Sequence, residues 1–511
     1  MWSVAHHYGW LKFLENRSID WRFEFRGEIE APLKVVYVNV DTLSLNTIGG
    51  WPWSRGYFAT VADALIKEGH ARAVGYDFVF SDAGIAEAVD IRKLVAGNTE
   101  FGRFLITQPP VVLAAAYAGQ KFLDVNGKER ERILPIVATD TREVEQMEPP
   151  EIPSFETSPD PNKRRPYTPP VAIGLIDTLG NETRMVPAWA PSNIRRTFFH
   201  MSLELARLYW GLPVGAISIE GDSALFKRAD GSVQAVVPLL HGQLLEVNWF
   251  TPWYSQHNAH AEFSDVFTYA DALRSSDRAE QQIAREFFAQ DGFKDAVVLI
   301  GPVDPLLQDI APTSLDPQAV PKVSVHGNLL KTIVAGKFLS RLPDTSNHLI
   351  IFGLTLVVAT LSLAGGARAL FAKIMALLAL GIYVALSFRI FEVSHFILPF
   401  TAPLGAALTT SFGGLIWQVV EEQKAKGRIT GMFGAYVSPQ LVERMVESGD
   451  DPQLGGHDAE ITAYFSDIQS FSAFSEKLAS GPLVELMNEY LTACTDIMQT
   501  EGGTLDKYIG D

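Results

Sequence analysis

Hydrophobic and polar positions follow three different patterns along this chain. From about residue 16 to residue 344, short β-branched runs alternate with longer segments of helical period, which predicts an α/β domain. The predicted strands are residues 35–41, 73–80, 111–117 and 296–300. Ser54 is a predicted N-cap for the helix between the first two strands, so the domain opens with a β-α-β unit. Residues 147–170, which are rich in Pro, Glu and Ser, are predicted to form a surface loop.

The second pattern is an almost uncharged stretch from His348 to Trp417. It contains three apolar segments, at about residues 348–364, 369–388 and 396–417. Each is close to the roughly 20 residues that a helix needs to cross ~30 Å of hydrocarbon. We therefore predict three transmembrane helices in a multidomain membrane protein, rather than three helices of a soluble core.

Basic residues lie unevenly around these three segments. Those near the first loop and after the third segment are Arg368, Lys373, Lys424, Lys426 and Arg428. In the second loop, Arg389 is balanced by Glu392. Because positive residues favour the cytoplasmic side, the N-terminal domain is predicted outside the cytoplasm and the C-terminal region inside it. The first thirty residues hold no apolar run suited to export, so we expect a further segment upstream; a different start codon and a leaderless domain are the alternatives.

The third pattern begins at Glu460 and indicates a strand, a turn, a helix and a second strand. Residues 461–465 lead to a turn at Asp467, and residues 504–509 lead to Asp511. The helix between them has Ser480 as its predicted N-cap. Its predicted buried face comprises Leu483, Leu486, Met487, Tyr490, Leu491, Cys494, Ile497 and Met498.

Two carboxylates, Asp467 and Asp511, therefore follow predicted strands. If the strands are neighbours, both carboxylates reach one edge of a sheet, and carboxylate oxygens suit Mg²⁺ or Mn²⁺ shared with a nucleotide triphosphate. Taken alone, an Asp at the end of a strand is more often a turn former than a metal ligand.

Composition narrows the classes of function. The net charge of −17 argues against nucleic acid as a partner, because phosphate backbones attract clustered Lys and Arg. Cys494 is the single cysteine, which excludes an intramolecular disulfide and a CxxC motif. At 511 residues the chain is long enough for two or three cores.

Several stretches of the N-terminal domain resemble the second class of CHASE-type extracellular sensors of bacterial receptors. The stretches are IDWRFEFRG, VYVNVD, GGWPWSRGYFATVADALIKEGHARAVGYDFVFSD and KVSVHGNLLKTIVAGKFLSRLP. The resemblance covers residues 14–344 and implies an extracytoplasmic α/β sensor with an unknown ligand. Trp51, Trp53 and Arg55 are candidate pocket residues, although core aromatics beside a helix cap are the stronger interpretation. His326 is interpreted as a packed or hydrogen-bonded histidine, because no second metal ligand lies at i+3 or i+4.

The C-terminal region resembles the class III nucleotidyl cyclases. The matching stretches are FSDIQSFS and GGTLDKYIGD, preceded by AYVSPQLVERM. Residues 460–511 would form the N-terminal part of an α+β, ferredoxin-like catalytic domain, and because such sites form between two domains, the resemblance implies a homodimer. Residues 419–445 would be a juxtamembrane signalling helix that pairs with its copy; a solvated linker is an equal alternative.

The cyclase resemblance implies a role for each residue of the predicted site. Asp467, Asp511 and the Ile468 carbonyl would hold two Mg²⁺ or Mn²⁺ ions. The backbone of Ser470, Phe471 and Ser472 would hold the triphosphate. Lys507 would contact the base, and a lysine at this position favours ATP over GTP.

The expected protein is a receptor adenylate cyclase of the bacterial inner membrane that forms cyclic AMP under control of its outer sensor. A guanylate cyclase and a non-catalytic receptor are the alternatives. Ser470 stands where the family often has Gly, and the turn is kept if its φ is not positive. The family's transition-state Asn and Arg lie beyond Asp511, so we expect a chain that ends at Asp511 to be inactive and its parent to continue.

Overall fold

The computed structural model describes residues 1–49, 51–80, 91–115, 122–123, 129–130, 155–156, 166–167, 171–178, 184–191, 197–290, 292–307, 309–364, 368–434, 458, 460–503, 505 and 508. The chain divides into two compact units, residues 1–355 with 378–406, and residues 356–377 with 407–511.

A sheet of eight strands forms the centre of the first unit. The described strands of the chain are β1 (Val35–Val40), β2 (Ala73–Tyr76), β3 (Val111–Ala115), β4 (Phe122–Leu123), β5 (Glu129–Arg130), β6 (Phe155–Glu156), β7 (Pro166–Tyr167), β8 (Ala172–Leu175), β9 (Met185–Pro187), β10 (Trp189–Pro191), β11 (Thr197–His200), β12 (Ile217–Glu220), β13 (Ser223–Lys227), β14 (Val233–Pro238), β15 (Leu244–Glu246), β16 (Ala259–Glu262), β17 (Val297–Pro302), β18 (Ile310–Ala311), β19 (Val320–Pro321), β20 (Ser340–Arg341) and β21 (Phe396–Ile397). The sheet order is β10-β11-β8-β3-β2-β17-β1-β16, and all neighbours are parallel except β10 with β11. A smaller antiparallel sheet has the order β12-β13-β14.

The first strand shows why this sheet is covered on both faces. Val36, Val38 and Val40 of β1 belong to one hydrophobic core, whereas Val35 and Tyr37 belong to another. Successive side chains of a strand point to opposite faces, so a continuous apolar run supplies both cores at once.

Helices form a layer on each side of the sheet. The described helices are α1 (Trp2–His7), α2 (Lys12–Arg26), α3 (Thr42–Ile48), α4 (Arg55–Lys67), α5 (Ile91–Ile106), α6 (Met201–Tyr209), α7 (Phe263–Ala272), α8 (Arg278–Ala289), α9 (Val323–Ala335), α10 (Asp344–Ser362), α11 (Ala369–Ser394), α12 (Thr401–Gly434), α13 (Phe471–Ser475) and α14 (Ser480–Thr500). Residues of α4, α5, α7 and α8 fill one core, and residues of α2, α6 and α9 fill the other. The N-terminal domain is therefore a three-layer α/β/α structure.

The strands predicted in this domain are confirmed as β1, β2, β3 and β17, and Ser54 is the N-cap residue of α4. Its side chain makes no capping hydrogen bond. One feature differs from the predicted β-α-β opening: β17 lies between β1 and β2 in the sheet. Because β17 comes from more than 200 residues later in the chain, no local pattern signals this insertion. The predicted loop at residues 147–170 lies mostly outside the described residues.

Two of the three predicted membrane spans are long and apolar enough to cross a bilayer. Within the described residues, these helices are α10 and α11. The third predicted span, at residues 396–417, falls on β21 and the first half of α12. This stretch carries no Asp, Glu, Lys or Arg, but Pro, Gly, Ser and Thr residues make it less apolar. The third span therefore stays a prediction.

The C-terminal region differs from its predicted pattern. Residues 461–468, predicted to begin with a strand, have no regular secondary structure, and the described residues of this region form no sheet. A strand requires a hydrogen-bonded neighbour, and the predicted partner at residues 504–509 lies largely outside the described residues. The ferredoxin-like fold is consequently not shown.

Helix α14 confirms the predicted helix and corrects its details. Its N-cap is Ala479, so Ser480 is the first helical residue instead of the cap. Gly502 follows the helix with φ +79°, as expected for a terminating glycine. No residue of α14 is fully buried and Cys494 is exposed, although Leu483, Met487, Leu491 and Met498 are half-buried along one face.

Candidate functional site

The predicted catalytic turn lies in the second unit. Asp467 is exposed, Ile468 is half-buried, and Phe471 and Ser472 begin α13. The Ile468 carbonyl accepts a hydrogen bond from the Phe471 N–H at 3.2 Å, which closes the turn and leaves a second lone pair on the oxygen. The structure therefore brings the Asp467 carboxylate and the Ile468 carbonyl into one short segment.

Lys507 and Asp511 lie outside the described residues. The geometry of the turn is therefore described without these two residues. The predicted pairing of the two carboxylates stays a prediction.

Ser470 occupies the left-handed region of the backbone map. Its φ is +58° and its ψ is +32°, and its carbonyl accepts the Ala473 N–H at 3.0 Å. The condition under which Ser would replace Gly without cost is therefore not met. A residue with a Cβ atom is disfavoured in this conformation by about 1–2 kcal/mol, so the turn is held with backbone strain.

The first unit contains a buried polar group where parallel strands of the central sheet end. Asp77 follows β2, and Asp304 follows β17 after one residue; both side chains are buried. His326 Nε2 lies 3.3 Å from Asp77 Oδ1, and the His326 ring is 5.2 Å from that of His200. Burial, together with the neighbouring His326, holds the pKa of His200 well below its usual value. The interpretation of His326 as a packed histidine is confirmed.

A second acidic group at this edge is satisfied by local contacts. Asp304 accepts hydrogen bonds from Thr42 Oγ1 at 2.5 Å and from the Leu306 N–H at 2.7 Å. Within the described residues, no group of three or more His, Cys, Asp or Glu side chains is arranged to hold a metal ion.

The aromatic candidates form part of the core. Trp53 is buried, donates its indole N–H to the Gly49 carbonyl at 2.8 Å, and stacks on Phe263 with ring centroids 5.0 Å apart. Trp51 packs edge-on against Trp53 and is partly exposed, and the Arg55 guanidinium lies 5.9 Å from the Phe80 ring centroid. The core interpretation is confirmed for Trp53.

Helix α9 carries polar side chains into the core. Lys331 is 2% exposed, and its Nζ donates to Thr251 Oγ1 and to Asn258 Oδ1, both at 2.7 Å. Asn328, one turn earlier, accepts the N–H groups of Phe250 and Thr251. Burial lowers the pKa of Lys331 to about 8. This network fixes α9 against the loop that follows β15.

An ionic junction connects α2 with the segment that precedes α10. Glu246 is buried and contacts Arg184, at 3.2 Å, and Arg341, with a second Arg341 nitrogen at 2.6 Å. Burial alone would raise the pKa of Glu246, but Arg341 and Arg184 hold it below its usual value. Arg184 also donates to Asp20 of α2 at 3.1 Å.

A second junction joins α2 to the start of α12. Both carboxylate oxygens of Glu15 accept hydrogen bonds from the Phe400 N–H, at 2.9 and 3.2 Å, and one also accepts the Thr401 N–H at 2.9 Å. These are backbone donors at a helix N-terminus, where a negative charge is favoured. Glu15 Oε1 also lies 3.7 Å from the buried Arg22 guanidinium.

A cavity of about 280 Å³ opens beside this junction. Its lining mixes apolar and charged side chains, among them Lys12, Ile19, His241, Arg341 and Ile397. The cavity lies where the α/β domain meets the chain entering α10 and leaving α11.

Glu246 of the α/β domain binds Arg341 in the segment that precedes α10, and α10 and α11 are long and apolar enough to cross a membrane. Residues 1–366 match the model of the CHASE2 domain, and the chain therefore belongs to the CHASE2 family. The chain is also 33% identical over 82 residues to Adenylate cyclase 1 of Rhizobium meliloti (strain 1021). That match covers 16% of this chain and 12% of the cyclase. No solved structure matches the chain.

Sequence patterns missed the functional candidates of the first unit. Lys331 is a charged position in a helical stretch, and a lysine is almost never fully buried. Arg184, Glu246 and Arg341 are distant in sequence and meet only through the fold. The signal that was present is a charged residue inside an otherwise apolar helical face, as for Lys331.

Proposed function

We propose that the protein is a membrane receptor adenylate cyclase that converts ATP to 3′,5′-cyclic AMP and pyrophosphate under control of its extracytoplasmic CHASE2 domain. The observation that carries this proposal is the similarity to Adenylate cyclase 1 in a chain that also holds a CHASE2 domain and two apolar helices. The Asp467 turn would supply oxygen donors for the metal ions that such a function requires.

The residues at the turn suit a hard divalent cation. An exposed carboxylate and a carbonyl with a free lone pair are the oxygen donors that Mg²⁺ and Mn²⁺ prefer. In the proposed site, Asp467, Ile468 and Asp511 hold two such ions. Bound there, the ions would lower the pKa of the ribose 3′-hydroxyl and neutralise the triphosphate.

The remaining site residues bind and orient ATP. The backbone of Ser470, Phe471 and Ser472 would hold the triphosphate, and Lys507 would contact the adenine. Positioning and neutralisation of charge account for most of the catalysis of phosphoryl chemistry, so these contacts matter through geometry.

The proposed topology places α10, α11 and the first half of α12 in the inner membrane. The α/β domain then lies outside the cytoplasm, where it binds a ligand of unidentified chemistry, and residues 460–511 lie in the cytoplasm. Two copies would form a homodimer because class III sites need two catalytic domains. Helix α12, which continues to Gly434, is the connection that carries the signal.

The test measures cyclic AMP formation from ATP and Mn²⁺ by the full-length protein in membranes. We expect Asp467→Ala to abolish turnover, because the site loses a metal-binding carboxylate. Asp496→Ala is the matched control, since Asp496 is an exposed aspartate on α14 outside the proposed site, and it should retain activity.

Three results would contradict the proposal. Activity retained in Asp467→Ala would exclude the assigned site. A preference for GTP over ATP would indicate a guanylate cyclase. A wild-type protein without turnover of either nucleotide would be a non-catalytic receptor.

A further inference from the structure

Helix α2 carries an exposed stripe of large apolar side chains. Leu14, Trp21 and Phe25 are 51%, 44% and 55% exposed. Their spacing of seven and four residues places all three on one side of the helix. Trp10 and Phe13, just before and at the start of the helix, are more exposed still. Soluble surfaces rarely expose so many large apolar side chains together.

Contacts fix this helix against the ends of two apolar helices. At its start, the Glu15 carboxylate binds the N–H groups of Phe400 and Thr401, where α12 begins. Near its end, Phe23 packs on Phe391 with ring centroids 5.0 Å apart. Because Glu15 and Phe23 are about 12 Å apart along a helix, α2 lies across these ends of α11 and α12.

Two further contacts join aromatic residues of α1 and α2 to the end of α11 and the start of α12. Phe25 meets Phe388 of α11 edge-on at 5.3 Å. Trp2 of α1 covers Gly405 of α12 so closely that a Cβ atom there would lie 2.5 Å from the indole ring. The N-terminal aromatics therefore surround the point where α11 ends and α12 begins.

We propose that α2 lies in the outer interfacial layer of the lipid bilayer, with Leu14, Trp21 and Phe25 in contact with the acyl chains. The inference rests on the proposed membrane placement of α11. Trp residues concentrate at the level of the headgroups, and amphipathic helices lie in this plane with one apolar side buried. Arg17, which is exposed on the same helix, has a side chain long enough to reach the phosphate groups.

The experiment uses spin labels on the full chain in phosphatidylcholine vesicles. The background is Cys494→Ser, which removes the single native thiol. Labels are placed by Trp21→Cys and Phe25→Cys on the stripe, by Leu386→Cys on α11, and by Val214→Cys as a control. Val214 is an apolar residue of the α/β domain that is 82% exposed. Accessibility to oxygen, which enters lipid, is compared with accessibility to a water-soluble nickel chelate.

We expect the oxygen-to-nickel ratio at positions 21 and 25 to exceed that at position 214 several-fold and to approach that at position 386. A ratio at position 21 equal to that at position 214, with a high ratio at position 386, would overturn the inference and leave the membrane placement intact. A low ratio at position 386 would overturn both.

A second copy of the chain is the other occupant that the test detects. Low accessibility to both reagents, combined with dipolar broadening between labels, would show that a dimer covers the stripe and would overturn the lipid contact. Leu14→Cys provides a third stripe position should either substitution prevent folding.

Discussion

Lys331 carries a positive charge into the interior of the first unit, where hydroxyl and amide oxygens take the place of a carboxylate. Within the described residues it forms no ion pair, although Glu28 is near enough to favour its charged form. The fold therefore binds the proton of Lys331 less tightly than the unfolded chain does. This difference makes the stability of the domain depend on pH.

The sign of this dependence follows from the two pKa values. Between the folded pKa of about 8 and the usual 10.5, the unfolded state holds a proton that the folded state has released. Stability therefore rises with pH through this window, by about 3 kcal/mol in total, and is constant below pH 8 as far as this group is concerned. In Lys331→Met the rise should disappear. Unfolding of both proteins between pH 7 and pH 10.5 measures the difference, and parallel curves would contradict the expectation.

Ser470 offers a test of backbone strain at the turn that follows Asp467. Ser470→Gly should stabilise the turn by about 1 kcal/mol, because glycine adopts a φ of +58° without a Cβ clash. Hydrogen exchange of the Phe471 and Ala473 amides should slow about fivefold. Ser472→Gly, inside α13, should have the opposite effect, since glycine destabilises a helix. Equal changes in both variants would show that the positive φ carries no strain.

At the scale of elements, Glu15 joins α2 to α12. Glu15→Gln removes the charge that faces the backbone donors of α12 and leaves the buried Arg22 without its carboxylate. Burial already lowers the pKa of Arg22, and Glu15 opposes that shift. We expect a loss of about 3 kcal/mol, together with faster exchange of the Phe400 and Thr401 amides.

The matched control for this variant is Glu24→Gln, an exposed glutamate on the same helix, which should change stability by less than about 0.5 kcal/mol. Adding Arg22→Met to Glu15→Gln should restore part of the loss, because the unpaired charge is gone. No restoration would mean that the cap, and not the ion pair, accounts for the whole effect.

Across the whole molecule, local patterns predict which segments form strands and helices, but not which strands are neighbours: β1 pairs with β16 and β17, both distant in the chain. β1, β3 and α4 are recognisable because an apolar run or a helical period suffices to specify them. β17 lies between β1 and β2 in the sheet. Several strands of this domain are similarly hydrophobic, so hydrophobicity alone does not specify which of them pair; packing of the whole core does. The strand before Asp467 is predicted from alternation alone, which does not supply the neighbour that a strand needs.

The candidate site divides in the same way. The motif around Asp467 is visible in the sequence because its residues are consecutive. The positive φ of Ser470 is not, since a serine ordinarily adopts a negative φ and nothing local in the sequence signals the exception. The junction of Arg184, Glu246 and Arg341 depends on three distant segments, and only the folded chain brings them together.

Helix α12 runs without a break over 34 residues, which has a consequence for how it would transmit the proposed signal to the residues that follow it. In a continuous helix, each residue added turns everything downstream by about 100°, whereas seven residues return it to nearly the same azimuth. In the proposed receptor cyclase, the orientation of the residues that follow α12 would therefore depend on angular phase. We expect one alanine inserted between Lys426 and Gly427 to abolish cyclic AMP formation by the full-length protein, and seven inserted residues to retain it. Equal activity in the two variants would show that α12 only sets a distance. A difference between them would show that rotation about the helix axis controls the activity.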